Sequence, residues 1–318
     1  KTDRTHYHMH ETRQQESPSR PSRHCRETVR SGYEENVKKL CITTPEDPPE
    51  QWGGLARTVY RVAQHAKDMG LEVHVAHLSV SGEQIVLLDE NRTTNAVDGT
   101  VVHHIQVARE QLDSTQRGLW ECPHTLTLQM MYQSLEMLHK DERFDVFASF
   151  FLYPVGYVTG LLARRMQVPS VLTVVGNDVK KYTFSPEKVG LCQSGLTNAD
   201  RLVALSHELR DMAHALTPVA EKSRIIYNSV TVTERPWQPR ASEERFFRIG
   251  SAGIFKYEKG LPYLFKAVSR LRGSRKAILE LRGSLRPSEK ATYEEMVKRT
   301  HMEDRVRLLE PLPHDAMP

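Results

Sequence analysis

The chain has 318 residues, of which 39% are hydrophobic and 26% are charged, and its formal net charge is +4. This length predicts about two domains with ample material for hydrophobic cores. The 4 cysteines are scattered and form no Cys-x-x-Cys pair, so neither a disulfide framework nor a zinc site is indicated. A reducing, cytoplasmic location is therefore expected.

The N-terminal segment, residues 1–36, is polar and rich in Arg, Ser, Pro and His, which predicts a disordered tail. It has no apolar h-region, so no signal peptide is expected. His6, His8 and His10 alternate and could chelate a metal, but a flexible tail holds no fixed geometry. The most apolar stretch, residues 146–163, is short for a membrane span and predicts a buried strand followed by a buried helix.

A regular alternation of strands and helices is predicted over residues 37–230. The apolar patterns predict strands at 40–44, 72–78, 146–150, 170–175, 201–205 and 224–227. They predict helices at 54–69, 125–139 and 155–166, one ending near 198, and one capped by Ser206. Residues 84–107 predict a hairpin-like insertion, with strands 85–88 and 100–105 joined through 91–98. Repeated strand–helix units indicate a parallel sheet with helices on both faces.

A second α/β series follows residues 231–245, which contain two prolines and predict an interdomain linker. In residues 246–318 the predicted strands are 247–250, 278–282 and 305–309, and the predicted helices are 260–271 and 289–300, the latter capped by Ser288. This is about half of a doubly wound domain. The expected fold class is α/β, with two Rossmann-like doubly wound domains and the second incomplete.

Two turns of the first domain carry candidate site residues. Gly53 and Gly54 precede a helix, where backbone N–H groups and the helix N-terminus favour a phosphate, although a glycine pair more often marks a bare turn. Asp178 follows a buried strand at the edge where ligands bind in open α/β sheets. Its carboxylate could hold a substrate hydroxyl or cap a helix, and spacing leaves both open. No Gly-x-Gly-x-x-Gly motif is present, which disfavours a dinucleotide.

Three further candidates come from the later turns. Lys259 opens a predicted helix after a short strand, with Lys256 one turn earlier, and lysine there can neutralise a diphosphate leaving group. A solvated surface lysine is the alternative. Asn228 follows a predicted strand and could hold substrate through its amide, although a lone asparagine is more often a turn residue.

A series of segments then occurs in a fixed order along the chain: 53–56 with 70–75, 173–178, 199–206, 225–230, 259–261 and 279–283. Together they resemble the retaining glycosyltransferases of family 4, which have the two-domain GT-B fold. The resemblance runs from about Val37 to the last residues. It implies that the first domain binds the acceptor and the second binds a nucleotide diphosphate-sugar, with no metal or other cofactor. It also implies that Gly53 and Gly54 face the donor phosphate and that Lys259 binds the diphosphate.

The chain departs from the family pattern at several positions. Val175 stands where the family usually has a histidine near the sugar, and Ile254 stands where an arginine usually assists the lysine. Ser229 and Thr231 replace the usual Gly and Asp after Asn228. The family's paired glutamates, which grip the donor, do not occur before Pro318.

The function implied is transfer of a sugar from a nucleotide diphosphate-sugar to a sugar, lipid or small-molecule acceptor, with retention of configuration. The alternative is a non-catalytic homologue acting as a binding subunit; an epimerase on the same fold and a dehydrogenase rank lower. Nucleic acid is not expected, because no basic motif is interleaved with aromatics. From Arg245 to Glu310 there are 16 basic and 8 acidic residues, which leaves peripheral contact with an anionic membrane surface open beside a merely solvated surface.

Overall fold

The computed structural model describes residues 37–46, 54–80, 87–108, 125–229, 246–271 and 276–312. The chain divides into two compact units, Lys1–Ser229 and Val230–Pro318. The predicted tail, the predicted linker, Gly53 and the first residues of the predicted strand 85–88 lie outside the described residues.

The first unit alternates strands and helices as the apolar patterns predict. Its elements are β1 (Lys39–Thr44), α1 (Gly54–Asp68), β2 (Glu72–Val80), β3 (Arg92–Val97), β4 (Thr100–Val107), α2 (Thr125–Glu142), β5 (Val146–Phe150), α3 (Tyr157–Met166), β6 (Ser170–Val174), α4 (Pro186–Asn198), β7 (Arg201–Ala204), α5 (His207–Leu216) and β8 (Ser223–Ile225). A π-helical turn, Leu152–Gly156, leads into α3, and a single helical turn, Asn177–Lys180, follows β6.

The strands form one 8-stranded sheet in the order β3-β4-β2-β1-β5-β6-β7-β8. All neighbouring pairs are parallel except β3 and β4. A parallel sheet must be covered on both faces, and two apolar clusters do this. One lies between the sheet and α1 and includes Ile42, Val59 and Val75. The other lies between the sheet and α2, α3 and α4 and includes Leu135, Phe147, Leu162 and Leu196.

The helix ends of the first unit follow local sequence rules. Gly70 follows α1 with a φ of +88°, a conformation that glycine adopts without steric cost, and its N–H donates to Lys67 O at 2.8 Å. The hydroxyl of Ser206 accepts the N–H of Leu209 at 3.2 Å, so the predicted cap of α5 is confirmed.

The hairpin insertion is confirmed in kind, but its first strand is misplaced. The strand β3 occupies Arg92–Val97, within the segment expected to be the connection, and pairs antiparallel with β4. Asp98 and Gly99 form the turn, with φ values of +49° and +73°. An Asp-Gly pair favours a two-residue turn with positive φ at both positions, so this dipeptide marks the hairpin better than the apolar run does.

The second unit contains β9 (Phe246–Phe255), α6 (Leu261–Ser269), β10 (Lys276–Leu285), α7 (Lys290–Arg299) and β11 (Val306–Leu309). Its parallel sheet has 3 strands in the order β11-β10-β9, and Phe265, Leu279 and Tyr293 belong to its core. β9 and β10 are 10 residues each, much longer than predicted. The Ser288 cap is wrong: Glu289 precedes α7, and no side chain caps it.

Candidate active site

The candidate site of the first unit lies at the carboxyl ends of its parallel strands, where open α/β sheets bind ligands. Gly54 opens α1 after β1, Asp178 follows β6, and Asn228 follows β8. Three residues distant in sequence therefore reach one edge of one sheet.

A carboxylate that sequence reasoning missed lies at the start of α1. Glu46 Oε2 accepts the N–H of Ala56 at 3.3 Å, and the Thr44 hydroxyl bonds both the N–H and the carbonyl of Glu46. A helix N-terminus carries a partial positive charge and free N–H groups, so it stabilises this carboxylate as it would a phosphate. Glu46 therefore occupies the N-terminal end of α1 at the N–H of Ala56.

Asn228 is linked to the same helix. Thr58 Oγ1 donates to Gly54 O at 2.9 Å and lies 3.5 Å from Asn228 Oδ1. One turn further along, the guanidinium of Arg61 donates to the carbonyl of Ser229. The first turns of α1 thus fix the segment after β8, and two of the predicted site residues are brought together through Thr58.

A cavity of about 370 Å³ lies beside these contacts, between α1 and the sheet. Its floor is largely apolar, and Arg61, His65 and Asn228 supply polar groups at its wall. An apolar pocket with a few polar side chains is the usual form of a small-molecule site. Its remaining lining residues are Thr58, Val62, Ala148, Phe150, Val171, Thr173, Val203, Leu205, Ile226, Tyr227 and Ser229.

The Asp178 side chain is 0% exposed and is surrounded by backbone N–H groups. Its Oδ2 accepts from Leu152 at 3.0 Å and from Val175 at 3.2 Å. Its Oδ1 accepts from Gly176 at 2.7 Å and from Val179 at 3.1 Å. Burial raises the pKa of Asp178, and these four N–H donors oppose that effect. Because both oxygens are already paired, this carboxylate joins the loop after β5 to the loop after β6.

The loop that Asp178 holds has an unusual backbone. Phe151 has a φ of +91°, a region that residues other than glycine rarely adopt, and Leu152 next to it donates to Asp178. Such conformations persist only where the surroundings impose them, and they cluster at functional sites. The hydrogen bond from Leu152 is one such restraint.

In the second unit, Lys256 and Lys259 flank a short turn at the carboxyl end of β9. Lys256 is half-buried, Lys259 is exposed, and the N–H of Lys259 donates to Lys256 O at 2.8 Å. Gly260 has a φ of +73° and precedes α6, so this lysine-glycine pair needs glycine at its second position. Both lysines thus lie after the carboxyl end of a strand, where open α/β sheets bind ligands.

The structure also places two of the departures from the family pattern, Val175 and Ile254. Val175 is half-buried and packs against the cluster beneath α1, so no polar side chain extends from this position. Ile254 is 67% exposed, near the end of β9.

Solved structures with the same architecture are numerous, and three illustrate it. Sucrose-phosphate synthase from Thermosynechococcus elongatus is 15% identical, with a TM-score of 0.60 over 87% of this chain and 71% of that chain. A trehalose-6-phosphate protein from E. coli bound with UDP-2-fluoro glucose is 11% identical, with a TM-score of 0.57 over 87% and 74%. Anabaena Alr3699/HepE in complex with UDP and glucose is 13% identical, with a TM-score of 0.55 over 87% and 70%. No curated protein sequence matches the chain.

Two α/β units with largely parallel sheets, together with these neighbours, define the GT-B fold. The family model of Glycosyltransferase Family 4 matches residues 52–234, more than half of the chain. The chain therefore belongs to Glycosyltransferase Family 4, and it is a glycosyltransferase. Within the described residues, no helix combines the length and apolar character needed to cross a membrane.

Proposed function

We propose that this protein transfers a sugar from a nucleotide diphosphate-sugar to a hydroxyl acceptor, with retention of the anomeric configuration. The observation that carries the proposal is the family match over residues 52–234. The placement of Gly54 and Asn228 at one edge of the first sheet supports it. Under this proposal residues 37–230 form the acceptor domain, and residues 246–318 belong to the domain that binds the nucleotide-sugar.

The main electrostatic demand of the reaction is the charge that develops on the departing diphosphate. We assign this role to Lys259 together with Lys256, which lie at the two ends of the turn after β9. Gly54, which opens α1, would hold a donor phosphate together with the preceding residue in sequence, Gly53. Glu46 would have to leave the N–H of Ala56 for this contact to form.

We assign Asp178 a positioning role. Its oxygens are both paired with backbone N–H groups, so it reaches substrate only through the loops after β5 and β6 that it joins. The amide of Asn228, exposed and close to Thr58, is the better candidate for direct contact with a substrate hydroxyl.

The neighbours' names support a choice of donor to test. One was solved with UDP and glucose and another with UDP-2-fluoro glucose, so a UDP-hexose is the first donor to test. Their names also include a sucrose-phosphate synthase and a lipopolysaccharide galactosyltransferase, WaaB, which supports testing both soluble sugars and lipid-linked acceptors.

The test is release of nucleoside diphosphate from UDP-, GDP- and ADP-hexoses, with the anomeric configuration of the first product read by proton NMR. Lys259→Ala should lower kcat/KM by about 100-fold or more. Lys266→Ala, which removes an exposed lysine of α6, is the control and should leave it within about twofold. Equal rates for Lys259→Ala and wild type would refute the role of this lysine, and an inverted product would refute retention.

The second candidate function is a non-catalytic binding subunit. Three observations favour it: the aliphatic Val175, the exposed Ile254, and the Glu46 carboxylate at the start of α1. It predicts no turnover and weak or absent nucleotide binding. Calorimetry with UDP separates the two, because micromolar binding would contradict this candidate.

Peripheral membrane contact is part of the same proposal. The 16 basic and 8 acidic residues between Arg245 and Glu310 support attraction to an anionic surface. We expect the protein to co-sediment with vesicles that contain roughly 30% phosphatidylserine and not with neutral vesicles. Equal binding to both would contradict it.

A further inference from the structure

A cluster of ionisable side chains lies at the amino ends of the strands of the first sheet, at the edge opposite the candidate active site. His74 of β2 and His103 of β4 lie on one face and are both 2% exposed. Their rings stack at a centroid distance of 5.2 Å, with His74 Nδ1 only 2.9 Å from His103 Nε2. Glu142, the last residue of α2, faces the same pair, with Oε2 3.9 Å from His74 Nε2.

Each ring has its second nitrogen held by another partner. His74 Nε2 lies 2.9 Å from Glu72 Oε1, and His103 Nδ1 lies 3.0 Å from Thr94 Oγ1. A carboxylate on the far nitrogen of a histidine fixes its tautomer, and this is the usual outer contact of a metal-binding histidine. Because His74 Nε2–H donates to Glu72, His74 Nδ1 accepts the hydrogen bond from His103 Nε2–H. A metal ion would replace that shared proton, and His103 would then carry its proton on Nδ1, where Thr94 Oγ1 can accept it.

One contact shows that the position of the cluster already suits a cation. The ammonium of Lys39 already lies 2.9 Å from Glu72 and 2.9 Å from Glu142, which shows that the two carboxylates hold a positive charge at this position.

We propose that His74, His103 and Glu142 bind one divalent transition-metal ion, with Zn²⁺ as the best match. One candidate ligand atom from each residue lies within 4.8 Å of the other two. Two histidines and one glutamate are a known ligand set for zinc, which leaves its fourth position open. With Zn–N bonds of about 2.05 Å, tetrahedral geometry separates two ligand nitrogens by about 3.3 Å. The present 2.9 Å between His74 Nδ1 and His103 Nε2 therefore has to grow by a few tenths of an ångström.

On metal binding, the Glu142 carboxylate exchanges its contact with Lys39 for the ion, while Lys39 keeps its contact with Glu72. The Glu142 side chain is 30% exposed, and this supplies the route of entry. The ion would tie β2, β4 and the end of α2 together. Because this edge is opposite the candidate active site, the expected effect is on stability and not on the chemistry of transfer. The inference is independent of the proposed function.

The experiment is thermal unfolding of the full chain with and without Zn²⁺, combined with metal analysis after gel filtration. An ion that binds only the folded state at about 100 times its Kd should raise the Tm by roughly 5–10 °C, reversibly with EDTA. One ion per chain should co-elute. His6, His8 and His10 offer a second chelator. A ligand that binds folded and unfolded chains alike does not raise the Tm, so the Tm is the decisive measurement.

The variants separate this cluster from other binding. Glu142→Gln and His103→Gln should lose the zinc-induced rise in Tm. Glutamine has the shape of glutamate, and position 142 is partly exposed, so Glu142→Gln tests the site even if His103→Gln fails to fold. His104→Gln, one residue along β4, is the matched control and should keep the rise. No rise in wild type, or the same rise in Glu142→Gln, would overturn the proposal.

Discussion

Asp178→Asn tests whether this carboxylate is the structural link between the loops after β5 and β6. Asparagine keeps the shape but replaces one acceptor oxygen with an NH₂ group. Each Asp178 oxygen accepts two backbone N–H groups, so in either orientation of the amide two buried donors lose their acceptor. A buried unsatisfied donor costs about 1–3 kcal/mol. Relief of the cost of burying a charge offsets part of this, so we expect a loss of about 2–4 kcal/mol.

The assay is amide hydrogen exchange across a urea series, read on peptides of the first unit, because a chain of two units need not unfold in one step. Exchange at Leu152 and Gly176 should accelerate most. Asp145→Asn is the control: among the described residues only its Oδ2 is used, accepting the N–H groups of Lys38 and Lys39 at 2.8 Å each. An asparagine carbonyl can keep both bonds. A loss below about 1 kcal/mol in Asp178→Asn, with unchanged exchange at Leu152, would refute the reasoning.

Two further predictions concern the second unit. Gly283→Ala should destabilise it by more than about 2 kcal/mol, because Gly283 has a φ of +137° and an added Cβ would overlap the carbonyl oxygen of Gly253 on the paired strand. Gly250→Ala, where an added Cβ meets nothing within 4 Å, is the control, and similar urea midpoints for the two variants would contradict the overlap. Hydrogen bonds from the Tyr293 hydroxyl and from the N–H of Tyr257 lower the pKa of Glu289 in the folded state. The stability that the ionised Glu289 contributes is therefore fully present above the ordinary pKa of glutamate, and it is lost as the pH falls through the lowered pKa. Glu289→Gln should therefore flatten the fall in stability below about pH 4.5, and an unchanged acid limb would count against this contact.

Most strands and helices of this protein could be predicted from the apolar periodicity and capping residues of short segments. Residues 146–150 form a strand as predicted, and Ser206 caps α5, because burial periodicity and capping act over a few residues. The exceptions were also local. The Asp98-Gly99 turn decides the hairpin, and the apolar run at 85–88 does not determine the position of β3.

The candidate site could be predicted only in part from the sequence. Sequence placed Gly54, Asp178 and Asn228 after strands, and the sheet brings those strand ends to one edge. It left open what Asp178 does, because a carboxylate after a strand can face substrate or backbone, and only packing decides which. The Glu46 contact with Ala56 joins residues 10 apart in the chain that belong to no motif, so no sequence pattern could have marked it.

By itself, the sequence determined the alternation of strands and helices, the division into two α/β series and the resemblance to family 4, because these depend on residues close together in the chain. Only the tertiary structure decided which distant side chains meet. His74, His103 and Glu142 lie on two strands and a helix, and no spacing in the chain relates them. The physical reason is that strand order and register set such contacts, and both depend on the burial of whole faces rather than on any one residue.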